Sequence, residues 1–207
     1  MILLKSLLCE GEVSGKTLIV VDIQPEYEKG FGFKIEEFTQ FINENYENMS
    51  KLVFLYNWAD TVGDLDEMGY KYWLCEHGLD ENIADSSTFY DKGYAFFRYC
   101  MDSSIDESAT INFVRFMYEN DITDSREMNR EMWTKYLKQY RRTDKKQVME
   151  LLQHSDDMVN IPDLMNYIKR FNNIMLTGGG VNECLKEVEI ALGALNKTYD
   201  TLEEFTY

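Results

Sequence analysis

Short apolar runs alternate with amphipathic segments along the first third of the chain. Residues 17–22 (TLIVVD) are apolar and rich in β-branched side chains, which is typical of a strand buried on both faces. From Ile35 to Met49, apolar residues recur at helical spacing among acidic and amide side chains. Residues 51–56 (KLVFLY) then repeat the strand pattern. A strand, a helix and a second strand in this order predict a βαβ unit with parallel strands.

The pattern is weaker in the middle of the chain. Residues 57–87 are rich in Asp, Glu and Gly and allow one short helix, and residues 87–91 (STFYD) predict a third strand. From about 98 to 158 the apolar residues keep a helical period without a strand pattern. We therefore expect a helical insertion there, whose last helix has Thr143 or Asp144 as its N-cap.

The α/β alternation returns in the last quarter of the chain. Pro162 opens a helix, residues 173–177 (NIMLT) predict a strand, and three glycines and an amphipathic helix follow. The closing residues 201–207 (TLEEFTY) predict an edge strand. We therefore predict a single α/β domain over residues 1–207 with a helical insertion at about 98–158. Its expected architecture is three-layer and doubly wound, with a mostly parallel sheet of about five to six strands.

The charge balance excludes several classes of partner. The chain has 207 residues, and its 21 Lys and Arg against 37 Asp and Glu give a formal charge of −16. This charge repels phosphate backbones and anionic lipid head groups, so we expect neither a nucleic acid nor a membrane partner. No apolar run approaches the roughly 20 residues that cross a bilayer. The apolar start lacks a basic leader and is interrupted by Lys5, so we expect a cytoplasmic protein.

Cysteines and histidines are few and scattered. The chain has four cysteines without a CxxC motif, which agrees with reduced thiols in the cytoplasm. The histidines His77 and His154 have no second ligand at a spacing typical of a zinc site. We therefore expect neither a bound metal nor a cofactor.

Three chemically reactive side chains follow predicted strands. Asp22 ends the first strand, Lys92 follows the third, and Cys184 begins the helix after the sequence NIMLTGGG. Ligands of parallel sheets bind beyond the carboxyl ends of the strands. The positive end of a helix favours a thiolate, a carboxylate can take its proton, and glycines let backbone N–H groups face an oxyanion. The three residues can therefore act as base, electrostatic stabiliser and nucleophile.

Three segments around these residues resemble a known family. Residues 20–27 (VVDIQPEY) resemble the first-strand motif of the isochorismatase-like cysteine hydrolases, which include nicotinamidases and other small-amide hydrolases. Residues 175–185 (MLTGGGVNECL) are similar to the nucleophile motif of that family, and residues 91–97 (DKGYAFF) to a shorter form of its lysine motif. The resemblance covers roughly residues 17–97 and 161–207.

The resemblance implies a catalytic site and a reaction. Asp22, Lys92 and Cys184 would form the catalytic triad, and the backbone amides of Gly180 and Cys184 would form the oxyanion hole. The family carries a cis peptide bond at the position of Gly179–Gly180. The implied activity is hydrolysis of a C–N bond in a small amide-type metabolite through a thioester. Many relatives are homo-oligomers, so we expect one here.

The resemblance also implies residues that contact the substrate. Gln24 would help to hold the carboxylate and the thiolate in register, and aromatic residues would wall the pocket. These candidates are Gln24, Tyr27, Phe31, Trp58 and Tyr94. The metal-binding Asp-x-His of nicotinamidases is replaced here by Asn-Trp-Ala at residues 57–59, so no metal site of that kind is expected.

Structural roles offer an alternative interpretation of the same residues. Asp22 could cap the end of a strand, Cys184 could be a small buried apolar residue, and Lys92 could be solvated. The chain would then be a catalytically inactive relative that binds a small molecule or a protein, with the helical insertion as its partner surface.

Overall fold

The computed structural model describes residues 13–25, 27, 34–57, 66–92, 106–123, 127–152 and 161–207. The chain divides into two compact units. The first contains Met1–Gly93, Phe171–Val181 and Tyr199–Tyr207, and the second contains Tyr94–Arg170 and Asn182–Thr198.

The first unit contains a parallel β-sheet. Its strands are β1 (Thr17–Val21), β2 (Lys51–Tyr56), β3 (Thr88–Asp91), β4 (Ile174–Gly178) and β5 (Tyr199–Thr201). They lie in the order β3-β2-β1-β4-β5, and all four neighbouring pairs are parallel. The chain therefore moves outwards from β1 to β3 and then continues on the other side of β1, which is the topology of a doubly wound sheet. The predicted α/β class with a parallel sheet of five strands is confirmed.

The apolar strands β1, β2 and β4 occupy the centre of the sheet, where their side chains are buried. Every residue of β1 and β4 is buried, and in β2 only Lys51, at the start of the strand, is exposed. Strands buried throughout are typical of parallel sheets. The register pairs Val21 with both Leu55 and Gly178, so the carboxyl ends of the three central strands are level.

The described helices of the first unit bury apolar side chains, and two of them have capped N-termini. They are α1 (Ile35–Asn45), α2 (Glu67–Glu76) and α3 (Glu81–Ser86). Helix α1 buries Ile35, Phe38 and Ile42, which recur at helical spacing. The carboxylates of Asp66 and Asp80 cap α2 and α3 by accepting hydrogen bonds from backbone amides. The sequence pattern predicted α1 and one short helix where α2 lies, but not α3.

The closing strand is shorter and lies earlier than predicted. Strand β5 ends at Thr201, and the chain then forms a 3₁₀ turn over Glu203–Phe205, so the prediction of a strand over residues 201–207 is wrong. The turn buries the ring of Phe205 against Phe38 and Phe41, with ring centroids 5.4 and 5.1 Å away. This contact selects a turn where the alternating pattern predicted an extended chain. The prediction that the last strand lies at an edge is correct.

The described part of the second unit is helical. It contains α4 (Glu107–Glu119), α5 (Arg130–Gln139), α6 (Arg142–Leu152), α7 (Ile161–Ile168) and α8 (Cys184–Ala194). Helix α4 contacts α6, α7 and α8. The guanidinium of Arg115 on α4 donates to the carbonyls of Gly193 and Ala194 at 2.9 and 2.8 Å. The predicted helices of the insertion are present, but α6 begins at Arg142, before the predicted N-cap. Among the described helices, none is long and apolar enough to span a membrane.

Candidate active site

The point where the sheet changes direction brings two strand ends side by side. Strands β1 and β4 are neighbours although they are far apart in the sequence, and their last residues, Val21 and Gly178, are paired. Asp22 and Gly179 follow these strands directly. In a doubly wound sheet the crevice for a ligand opens at this switch point, beyond the carboxyl ends of the strands.

Asp22 and Lys92 form a buried ion pair at this edge. The Lys92 Nζ lies 2.9 Å from Asp22 Oδ2, and the two side chains are 2% and 0% exposed. Both residues are held by β2, because the amide of Asp22 donates to the carbonyl of Leu55 and the amide of Lys92 to that of Tyr56, each at 2.8 Å. The sheet therefore brings together two of the three residues that the sequence singled out.

The Asp22 carboxylate can accept further hydrogen bonds. Within the described part of the chain, neither of its oxygens accepts a hydrogen bond of good geometry, although the Lys92 ammonium lies 2.9 Å from Oδ2. Its backbone is also in the left-handed region, with φ at 45°. A left-handed backbone at a residue other than glycine costs free energy, and such features cluster at functional sites.

The turn after β1 is held by several hydrogen bonds. The Gln24 side chain pairs with the backbone of Asn57, donating through Nε2 at 3.2 Å and accepting the Asn57 amide at 2.8 Å. The hydroxyl of Tyr70 donates to the carbonyl of Ile23. The side-chain amide of Gln24, in the turn after β1, thus binds the residue that follows β2 and connects the ends of the two strands.

The glycines after β4 allow the chain to pass close to β1. Gly178 and Gly179 have φ values of 79° and 61°. A Cβ atom at Gly178 would lie 2.4 Å from the carbonyl oxygen of Val21 and 2.8 Å from Ile23 Cγ1, so only glycine fits there. The peptide bond between Gly179 and Gly180 is trans, unlike the cis bond that the resemblance implied.

Cys184 is the first residue of helix α8 and carries a half-buried thiol that forms no disulfide. Cysteine at this position is exposed to the positive end of the helix dipole. Asp22 and Lys92 belong to the first compact unit and Cys184 to the second, so the meeting of all three side chains stays a prediction.

Cys75 on α2 provides a contrasting thiol. Burial raises the pKa of this thiol, and the carboxylates of Glu81, Asp85 and Asp80 raise it further. Cys75 is likewise half-buried and forms no disulfide, so it serves as a reference thiol of similar burial.

The predicted aromatic residues are only partly within the described chain. The ring of Tyr27 lies 6.4 Å from that of Tyr207, whereas Phe31, Trp58 and Tyr94 lie outside the described residues. In the described ranges no group of three His, Cys, Asp or Glu side chains is arranged to hold a metal ion. Sequence reasoning missed Tyr207, since a tyrosine that follows the last strand carries no motif.

Neither a family model, nor a curated protein, nor a solved structure matches the chain. The resemblance to the isochorismatase-like family therefore depends on the three sequence motifs alone.

Proposed function

We propose that this chain is a cysteine hydrolase of the isochorismatase-like type that cleaves the C–N bond of a small amide-type metabolite. The proposal depends chiefly on the buried pair of Asp22 and Lys92 at the switch point of the sheet. A glycine turn of unusual backbone conformation lies beside this pair, and it leads within a few residues to Cys184.

In the proposed reaction Asp22 first acts as a base. Its carboxylate takes the proton of the Cys184 thiol, and the thiolate attacks the carbonyl carbon of the amide. The π electrons of the carbonyl move to its oxygen, which accepts hydrogen bonds from the backbone amides of Gly180 and Cys184. The intermediate then collapses, the C–N bond breaks, and the protonated Asp22 gives its proton to the leaving nitrogen.

Water completes the turnover. Asp22 takes a proton from a water molecule while the oxygen of that water attacks the carbonyl carbon of the thioester. The second tetrahedral intermediate then collapses and releases a carboxylic acid and the Cys184 thiolate. The thiolate recovers the proton from Asp22. Throughout the reaction Lys92 balances the charge of the buried carboxylate, which would otherwise be costly to keep ionised.

Two features support these roles. The carboxylate of Asp22 is fully buried and accepts no hydrogen bond from the described residues, so it has capacity to accept the proton of a thiol. Cys184 begins a helix of 11 residues, whose dipole favours a thiolate, whereas the pKa of Cys75 is raised by burial and carboxylates.

The ion pair also favours one alternative. An inactive relative could keep a buried ion pair for structural reasons alone. In that case the chain would bind a small molecule or a protein without turning it over, and Cys184 would have no special reactivity.

Thiol alkylation separates the two possibilities. Wild-type protein is treated with iodoacetamide at pH 6, and the labelling of each cysteine is followed by peptide mass spectrometry. A catalytic Cys184 should react at least about tenfold faster than Cys75, and Asp22→Asn should remove this advantage. Cys184→Ser identifies the labelled peptide. Equal rates for Cys184 and Cys75 would contradict the hydrolase and favour the inactive relative.

The substrate class is tested with a panel of small amides and ureides. Wild-type protein should release the corresponding acid, and an acid quench during turnover should trap an acyl adduct on Cys184. Cys184→Ala should do neither, and Asp22→Asn should lose both because it lacks the base for the thiol and for the hydrolytic water.

A further inference from the structure

One residue outside the three motifs joins both sides of the proposed site. The hydroxyl of Tyr207 donates to the carbonyl oxygen of Asp22 at 2.8 Å. The backbone amide of Tyr207 donates to the carbonyl of Gly179 at 3.1 Å, and its carbonyl accepts from the amide of Val181 at 2.8 Å. Tyr207 therefore connects the end of β1 with the glycine turn after β4.

These hydrogen bonds determine the directions of two groups that the proposed reaction needs. The carbonyl of Gly179 and the N–H of Gly180 belong to one planar trans peptide, in which they point in opposite directions. Because Tyr207 holds the Gly179 carbonyl, the N–H of Gly180 points away from Tyr207. The Tyr207 hydroxyl similarly holds the carbonyl of Asp22, and the left-handed backbone of this residue fixes the Cα–Cβ bond, which carries the carboxylate, relative to that carbonyl.

We propose that Tyr207 is a positioning residue of this site, which aligns the base Asp22 and the oxyanion donor of Gly180 with each other. The inference rests on the proposed function, because it assigns Tyr207 to the same reaction. Tyr207 acts through Asp22 and the glycine turn. Its hydroxyl and its backbone act on different sides of the site, so the hydroxyl can be removed without disturbing the bonds to Gly179 and Val181.

Tyr207→Phe tests this role because it deletes only the hydroxyl and keeps the ring. The matched control is Tyr118→Phe in the second unit, which removes a hydroxyl that bonds Asn166 and Lys169 at 3.0 and 2.8 Å. The alkylation rate of Cys184 is measured from pH 5.5 to 10.5 for the wild type and both variants. Thermal unfolding of each variant verifies that it is folded over this range.

The pH profile distinguishes positioning from a general structural effect. At pH 6, Tyr207→Phe should slow alkylation of Cys184 about three- to tenfold, the range expected from one hydrogen bond. Above about pH 10 the difference should disappear, because solvent ionises an ordinary thiol there without help from Asp22. Tyr118→Phe should match the wild type at every pH.

Three outcomes would contradict the inference in different ways. Slowing by the same factor at all pH values would mean that the hydroxyl affects access to Cys184, and this would overturn the role of Tyr207. Wild-type rates in Tyr207→Phe, together with slow alkylation in Asp22→Asn, would also overturn that role but would leave the hydrolase intact. If Asp22→Asn does not slow the alkylation of Cys184, the proposed function is overturned, and the role of Tyr207 with it.

Discussion

The ion pair between Asp22 and Lys92 can be tested by its effect on stability, independently of any substrate. Lys92→Met removes the ammonium group and keeps an unbranched chain of similar length. Asp22→Asn removes the opposite charge, and asparagine tolerates the left-handed backbone at this position, where φ is 45°. The double variant removes both charges at once, so the three proteins form a double-mutant cycle with the wild type.

The size of the effect follows from the burial of the pair. Its atoms are 2.9 Å apart and the side chains are 2% and 0% exposed, so Lys92→Met leaves a buried carboxylate without its counter-ion. Breaking a buried pair in this way costs about 3–5 kcal/mol of the free energy of unfolding. For a chain of this length, that cost lowers the melting temperature by about 6–20 °C. Asp22→Asn in the Lys92→Met background should then cost much less than it does alone.

Urea denaturation at pH 7 measures these free energies from the midpoint and the slope of each transition. The control is Lys34→Met, which breaks a pair with Glu37 at 3.0 Å whose side chains are 70% and 62% exposed. This exposed pair should contribute no more than about 1 kcal/mol. Strictly additive effects of the two buried substitutions, or a loss in Lys92→Met as small as in the control, would refute the importance of the pair.

Other residues give sharper tests of local features. Gly178→Ala should lower the free energy of unfolding by about 2–5 kcal/mol in urea, because its Cβ has no room and its φ is positive; Gly15→Ala, at φ 68° in open space, should cost about 1–2 kcal/mol. Burial and, after it, nearby carboxylates raise the pKa of Cys75, so Glu81→Gln should increase the alkylation rate of Cys75 at pH 7; an unchanged rate would contradict the contribution of the carboxylate. The hydrogen bond from the amide of Ser108 lowers the pKa of its cap, Asp106, so the cap stabilises the fold above the ordinary carboxyl pKa and loses this effect as the pH falls through the lowered pKa. Asp106→Ala should therefore melt earlier than the wild type at pH 7, with a difference that shrinks as the solution is acidified.

The sequence predicted the central strands well because their signals are local. Residues 17–22 and 51–56 are continuous apolar runs, and the structure contains strands there that end within one residue of the predicted bounds. The βαβ order also predicted that β1 and β2 are parallel. The end of the chain was predicted less well, because the fold of residues 201–207 depends on where the ring of Phe205 is buried and not on their alternating pattern.

The candidate site likewise combines features that the sequence predicts with features that need contacts between distant residues. Asp22, Lys92 and Cys184 are site candidates because each follows a predicted strand. The sequence also predicts that these strand ends share one edge of a parallel sheet. It could not state that Asp22 and Lys92 form a fully buried pair, since this needs the order of the strands and the register on β2. The hydrogen bonds between the Gln24 side chain and the backbone of Asn57 likewise have no signal in the sequence.

Periodicity and turn residues act over a few neighbouring positions, so the sequence predicts the α/β class, the central strands, most helices and three candidate site residues. The position of β4 beside β1, the contact of an ammonium with the Asp22 carboxylate and the hydrogen bond of Tyr207 to a carbonyl 185 positions away appear only in the folded chain. Such contacts form only when the whole sheet is assembled, because the free energy that selects them comes from burial and hydrogen bonding between distant segments.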